Sequence, residues 1–257
     1  MDVAIIYPND LIGKWPNLTR MHLFVPKQFE SGDTPSRIRH LKSRGHYIIL
    51  DNGAYEGELL DLKSLLELAK SVNANEIVLP DVFQDADKTV QSYKQILVTT
   101  ELPYNRKYML VPQGKNLAEW FTCFEQINNI WDKSKYEWVL GIPKWLAKDD
   151  PGVRAEILTV LGYRGFKQPI HLLGCNGMPE IRKIVDVLKR RVAKVRSIDT
   201  SYPIKLAQAG KKLTYSGNEK VVWDSKEYLK STFVANQMPL IAYNVLEFIN
   251  IIREEIQ

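Results

Sequence analysis

The chain has 257 residues, 45% of them hydrophobic and 25% charged, which is typical of a globular protein with a sizeable core. No apolar run is long enough to span a bilayer and the acidic N-terminal segment does not resemble a signal peptide, so we expect no membrane partner and a cytoplasmic location. The formal net charge of +5 permits a polyanionic partner, and the two unpaired-looking cysteines, Cys123 and Cys175, exclude a disulfide framework or a cysteine-based zinc site.

Short apolar runs recur along the chain, each with the length of a buried strand. They cover 3–7, 47–51, 76–81, 108–114, 138–143, 170–174 and 194–199. Amphipathic stretches typical of helices lie between them, such as 61–72, 116–131 and 178–191, and a further one, 239–256, closes the chain.

Strands that alternate with helices predict βα units and a parallel sheet. Seven or eight such units that close on themselves form an α/β fold of the (β/α)8 barrel type, and an open doubly wound sheet is the alternative. No Gly-rich dinucleotide motif follows any run, which weakens that alternative. Residues 211–225 suggest a hairpin with a Ser-Gly-Asn turn. Because no linker or repeat is visible, 1–257 is predicted to be a single domain.

Five of the apolar runs end in a polar residue or glycine, namely Asp51, Asp81, Gln113, Gly141 and Asp199. Each alone would be interpreted as a turn or helix-capping residue. In a barrel these ends meet at one mouth, where the active sites of the fold lie, so five in equivalent places favour a site. His171 also lies at a strand end, but it stands alone, and a buried structural role is as compatible with the pattern as a catalytic one.

Three of these strand-end residues are carboxylates without a His or Cys partner in the pattern. This argues against a zinc centre and against a Ser/His triad. Paired carboxylates suit glycosyl chemistry, because one can attack the anomeric carbon while another transfers protons.

Six segments, in order along nearly the whole chain, match the motifs of a known family. They are DNGAYE (51–56), VPQG (111–114), HLLG (171–174), DTSYPIK (199–205), AGKKLTYSG (209–217) and AYNVLEFINIIREEI (242–256). Each match is loose, and their order and spacing supply the specificity. The chain thereby resembles the tRNA-guanine transglycosylase family, (β/α)8 enzymes that exchange a guanine base for a 7-deazaguanine.

Two departures from the family pattern change what the resemblance implies. The tRNA enzymes carry a zinc subdomain with a Cys-x-Cys-x-x-Cys run and a His from the last helix, whereas 218–242 contains no Cys and Tyr243 stands in place of the His. The resemblance therefore implies a shortened relative with no metal and no cofactor, most like the small phage DNA 7-deazaguanine transglycosylases. The base-site Asp-Glu-Cys segment is also altered, which puts Phe83 where the family's Cys contacts the base.

The resemblance implies a role for each matching residue. Asp199 is the nucleophile that attacks C1′, and Asp51 is the general acid and base. The implied base-binding residues are Asp81, Gln113, Gly114, Gly141, Tyr55, Leu173 and Phe83. The implied phosphate contacts are Lys205, Lys211, Lys212 and Lys115, whereas Lys189–Arg191 is better interpreted as a solvated helix face.

The implied function is that of a pentosyltransferase, which replaces guanine in a nucleic acid by a 7-deazaguanine such as 7-cyano-7-deazaguanine through a covalent glycosyl-enzyme. DNA is favoured over tRNA because the zinc insert is missing, and the target base must be flipped out or single-stranded. A phage origin would place the protein in the host cytoplasm. The alternatives are a tRNA enzyme that has lost zinc, a non-catalytic partner subunit, and a glycoside or nucleoside hydrolase.

Overall fold

The computed structural model describes residues 1–13, 18–30, 32–131, 134–219 and 225–254. Within this part of the chain, eight parallel strands form a closed barrel in sequence order. They are β1 (Asp2–Ile5), β2 (Met21–Phe24), β3 (Tyr47–Leu50), β4 (Glu76–Val78), β5 (Lys107–Leu110), β6 (Trp138–Pro143), β7 (Ile170–Leu173) and β8 (Val195–Thr200). The predicted (β/α)8 fold is confirmed, and the open-sheet alternative was wrong. Strand β2 falls outside the seven predicted runs.

Helices alternate with these strands. They are α1 (Thr34–Ser43), α2 (Leu62–Ser71), α3 (Ala86–Thr99), α4 (Leu117–Trp131), α5 (Val153–Tyr163), α6 (Met178–Lys189), α7 (Tyr202–Gln208), α8 (Ser225–Lys230) and α9 (Met238–Glu254). Two of them begin at a capping carboxylate: Asp61 accepts from the backbone N–H of Ser64 at 3.0 Å, and Asp85 accepts from that of Lys88 at 3.0 Å. Each bond satisfies an N–H group that the first helical turn leaves without a partner.

The chain divides into two compact units, which we describe in turn. The first comprises 1–22 and 143–257, and the second comprises 23–142. In the first unit, β8 pairs in parallel with both β1 and β7. In the second unit, β3, β4, β5 and β6 pair in sequence order. Their central residues are fully buried, as continuous apolar runs in a parallel sheet should be.

The segment after α7 differs from its prediction. Residues 211–219 contain no strand, so the predicted hairpin over 211–225 is not found there. They do contain a turn, closed by a bond from Gly217 N to Thr214 O at 3.0 Å. The positions 220–224, which would supply the second arm, lie outside the described residues, and α8 begins at Ser225. Asn244 of α9 holds this segment, because its side chain bonds the backbone of Lys211 and Leu213 at 2.9 and 2.8 Å.

Candidate functional site

Asp199, the predicted nucleophile, lies near the end of β8 with 2% of its surface exposed. The pairing of β7 with β8 sets His171 opposite Ser197. Side chains alternate along a strand, so Ser197 and Asp199 share one face of β8. The His171 ring therefore contacts both of them: Nδ1 lies 2.7 Å from Ser197 Oγ, and Nε2 lies 2.9 Å from Asp199 Oδ1.

The hydrogen bonds around His171 define the tautomer of the neutral ring. An ionised Asp199 only accepts hydrogen bonds, so Nε2 must carry the proton that it donates to Oδ1. Nδ1 then accepts from the hydroxyl of Ser197. Arg196 Nε donates to the same hydroxyl oxygen at 2.9 Å, which leaves the Ser197 proton available to His171. The result is a continuous chain of donors that ends at the Asp199 carboxylate.

A second donor reaches the same carboxylate oxygen. The backbone N–H of Gly174 donates to Asp199 Oδ1 at 3.0 Å, whereas Oδ2 accepts no hydrogen bond from the described residues. Gly174 has a φ of +70°, a conformation that favours glycine. The two oxygens of Asp199 therefore differ: two N–H groups hold Oδ1, and none from the described residues holds Oδ2.

A buried ion pair holds the loop that carries Gly174. Arg154 Nε donates to Glu180 Oε1 at 2.6 Å, and both side chains are almost fully buried. The other guanidinium nitrogens of Arg154 donate to the carbonyls of Leu173 at 3.1 Å and Gly174 at 2.8 Å. Glu180 Oε2 accepts from the backbone N–H of Asn176 at 2.8 Å. The pair fixes the loop between β7 and α6 and, with it, the Gly174 N–H group.

The expectation that the carboxylates lack a histidine partner, with His171 standing alone, was wrong. Ser197, His171 and Asp199 are the residue types of a hydrolase triad, but their arrangement does not suit one. Ser197 is fully buried and its oxygen is bonded by Arg196, so it is not presented to a substrate. The hydrogen-bond chain ends at Asp199.

In the second unit, the buried carboxylate of Asp81 lies after β4 with an amide on each oxygen. Asn52 Nδ2 donates to Oδ1 at 2.5 Å, and Gln113 Nε2 donates to Oδ2. The Gln113 carbonyl oxygen accepts from the backbone N–H of Gln84 at 3.2 Å, which orients that amide. The fold thus brings together Asp81 and Gln113, both of which were predicted as site residues. Asn52, which was not predicted, also contacts Asp81.

Burial raises the pKa of Asp81 from its ordinary value of 3.8 to about 6, although the hydrogen bonds from Asn52 and Gln113 oppose this change. A carboxylate has about four acceptor positions, and the two amides occupy one on each oxygen. The backbone N–H of Asp81 itself also donates to this carboxylate.

Asp51 and two aromatic residues occupy the loops that follow β3 and β4. The backbone N–H of Asp51 donates to Phe24 O at 2.8 Å, and its Oδ1 accepts from the backbone N–H of Gly53 at 2.9 Å. Tyr55 and Phe83 are 54% and 45% exposed, and their rings meet edge to face with centroids 6.3 Å apart. Exposed rings of this kind offer a surface on which a nucleobase can stack.

Four other predicted residues have different surroundings. A Cβ on Gly114 would lie 2.6 Å from Trp120 N, so this glycine allows α4 to pack closely against the preceding loop. Gly141 is buried within β6. Leu173 ends β7 and is partly exposed, and Lys115 is exposed, with its backbone N–H bonded to Glu119 Oε2 at 2.8 Å.

The lysines after the nucleophile differ in exposure. Lys211 and Lys212 are exposed, and Lys212 Nζ lies 5.4 Å from the centre of the Tyr243 ring. Lys205 lies in α7 and is partly buried, with Nζ 4.9 Å from the centre of the Tyr228 ring. Lys211 and Lys212 are therefore more accessible to solvent than Lys205.

Across the described ranges, no group of three or more His, Cys, Asp and Glu side chains could hold a metal ion, and no helix is long and apolar enough to cross a membrane. Comparison of the sequence with protein-family models and with curated proteins finds no match.

Proposed function

We propose that the protein is a base-exchange transglycosylase that replaces guanine in a nucleic acid, DNA rather than tRNA, by a 7-deazaguanine. The observation that carries this proposal is the state of Asp199, whose Oδ1 is held by two N–H groups while Oδ2 is left for bond formation. A carboxylate fixed in this way at the end of a barrel strand is suited to nucleophilic attack on a sugar carbon.

The reaction begins with attack of Asp199 Oδ2 on C1′ of a guanosine. A C1′–O bond forms, and the C1′–N9 bond breaks with its electron pair on the base, which takes a proton from Asp51. The incoming 7-deazaguanine then returns a proton from N9 to Asp51 and bonds to C1′, while the ester electrons return to Asp199. The two half-reactions balance without an oxidant, a reductant or water.

The Asp81 cluster supports a purine as the leaving and entering group. A carboxylate suits the adjacent N1–H and exocyclic N–H groups of guanine, which a 7-deazaguanine shares. The Tyr55 and Phe83 rings offer a stacking surface on loops from the same unit. A hydrolase that acts on sugars alone has no need of such an edge-specific group, so these residues favour a purine substrate, and the reaction products separate base exchange from purine nucleoside hydrolysis.

The test is to incubate the protein with labelled 7-cyano-7-deazaguanine and either duplex DNA, single-stranded DNA or tRNA. We expect label to be retained in DNA, with release of one guanine for each label incorporated. Label in tRNA alone would identify a tRNA enzyme instead, and guanine release without incorporation would identify a hydrolase.

Covalent trapping tests the role of each carboxylate. Asp199→Asn should neither exchange bases nor form a protein–DNA band after denaturation, because an amide cannot form the glycosyl ester. Asp51→Asn should lose about a hundred- to ten-thousand-fold in turnover and still allow the band to form. A band from Asp199→Asn would exclude it as the nucleophile, and unaffected turnover in both variants would overturn the proposed function.

A further inference from the structure

We propose that His171 is a positioning residue that governs the departure of Asp199 from the covalent intermediate, an inference that rests on the proposed function. The ring is fully buried between β7 and β8, and its Nε2–H group points to Asp199 Oδ1. Nothing in the two half-reactions requires His171 itself to touch the substrate.

The position of the donors explains what His171 does at each stage. While Oδ2 is bonded to C1′, Oδ1 is the carbonyl oxygen of the ester and carries only a partial charge. When the incoming base attacks C1′, the C1′–Oδ2 bond breaks and a full negative charge spreads over both oxygens. Donors that are already directed at Oδ1 stabilise that charge without rearrangement. His171 Nε2–H and Gly174 N–H are the two donors in place.

The hydrogen bond on the Nδ1 side of the His171 ring keeps its Nε2–H group directed at Asp199. Nδ1 accepts from Ser197, whose hydroxyl oxygen is in turn bonded by Arg196. This arrangement fixes both the ring orientation and the tautomer. A flipped ring would lose both bonds, and the other neutral tautomer would lose the bond to the ionised Asp199, because its Nε2 carries no proton. A second partner that orients a histidine in this way is a recurrent feature of active sites.

A purely structural histidine would have a different signature. Replacing it would lower the free energy of unfolding of the protein, and activity would fall only in proportion to the fraction of protein that is unfolded. A positioning role instead slows breakdown of the intermediate relative to its formation, in a protein that remains folded.

The experiment compares His171→Gln with His171→Asn in otherwise unaltered protein. Glutamine can place its amide nitrogen near the position of Nε2 and keep a donor toward Asp199, whereas the shorter asparagine reaches only toward Ser197. Both variants remove the same ring and leave a polar amide, and thermal unfolding measures the cost of the larger cavity that the shorter asparagine leaves. The readouts are the rate of adduct formation on DNA, the rate of adduct breakdown when 7-cyano-7-deazaguanine is added, and thermal unfolding.

We expect adduct breakdown to slow about a hundredfold in His171→Asn, a loss within the range for removal of one preorganised donor. The His171→Gln variant should keep most of the unaltered breakdown rate. Ser197→Ala should give a smaller loss, since it removes only the orienting partner. Equal breakdown rates in the Gln and Asn variants would overturn the role of His171. If that occurred while Asp199→Asn formed no adduct, the proposed function would stand without this inference; exchange by Asp199→Asn would overturn the function itself.

Discussion

The Asn52 amide donates a 2.5 Å hydrogen bond to the buried carboxylate of Asp81, 29 residues further along the chain. Gln113, 32 residues beyond Asp81, donates to its other oxygen. Two neutral donors from two different strand ends thus hold one carboxylate that burial makes weakly acidic. This group titrates within an accessible pH range, so its proposed role can be tested by pH.

We predict that the affinity for free 7-cyano-7-deazaguanine falls as the pH is lowered through about 6. The pKa of Asp81 is raised to about 6, so the carboxylate is ionised and fully accepting above that pH and protonated below it. Binding that needs the ionised form should weaken about tenfold for each further pH unit. Calorimetric titration between about pH 8 and about pH 5 measures this. Asp81→Asn is the control and should bind weakly with a flat profile; a flat profile in the unaltered protein would contradict the prediction.

We predict that Tyr55→Ala and Phe83→Ala each weaken binding of the base or the nucleic acid by about 1–3 kcal/mol, the usual loss for one base–aromatic stack. Both rings are about half exposed, so their removal should leave the free energy of unfolding within about 0.5 kcal/mol. Tyr55→Phe keeps the ring and should bind normally. Tyr163→Ala removes a tyrosine that is 81% exposed on α5 and serves as the matched control. Equal affinities for Tyr55→Ala and Tyr163→Ala would exclude stacking by Tyr55.

We predict that changing Lys211 and Lys212 together to Ala weakens DNA binding and reduces its salt dependence by about one unit of logarithmic slope per lost phosphate contact. Both lysines are exposed on the segment that Asn244 holds after α7. The matched control is Lys167→Ala with Lys194→Ala, which removes the same charge from two exposed lysines that precede β7 and β8. Identical slopes in the two double variants would mean that net charge alone acts on DNA.

Sequence periodicity was sufficient to predict seven of the eight described strands, because buried parallel strands are short, continuous apolar runs. Strand β2 was not predicted, because the polar His22 interrupts its short apolar run of four residues. In the structure, His22 is buried beside Tyr7, with ring centroids 5.9 Å apart. Tertiary packing, which a single sequence does not display, stabilises that polar residue within a strand.

The strand-end pattern predicted Asp81, Gln113 and Asp199 as site residues but did not predict Asn52 and His171, which donate hydrogen bonds to the two carboxylates. His171 appeared isolated because its partners lie 26 and 28 residues away and are joined to it only by the β7–β8 register, which includes an irregularity at Ile170/His171. The alternation of Ser197 and Asp199 on one strand was the available indication. The buried Arg154–Glu180 pair has no comparable signal in the sequence. It joins α5 to α6 through a tertiary contact that neither helix reveals by itself.

Gly114 tests whether a residue of the VPQG segment serves the ligand or the fold. We predict that Gly114→Ala lowers the free energy of unfolding by about 1–3 kcal/mol, the range for overpacking a filled site. The reason is local: an added Cβ would lie 2.6 Å from Trp120 N and 2.7 Å from Glu119 Cβ, both in α4, where the backbone cannot yield easily. Gly32→Ala is the control, because a Cβ there meets nothing within 4 Å, and it should leave stability nearly unchanged. Denaturant unfolding of both variants checks the prediction. Unchanged stability in Gly114→Ala, together with lost affinity for 7-cyano-7-deazaguanine, would instead assign this glycine to the ligand.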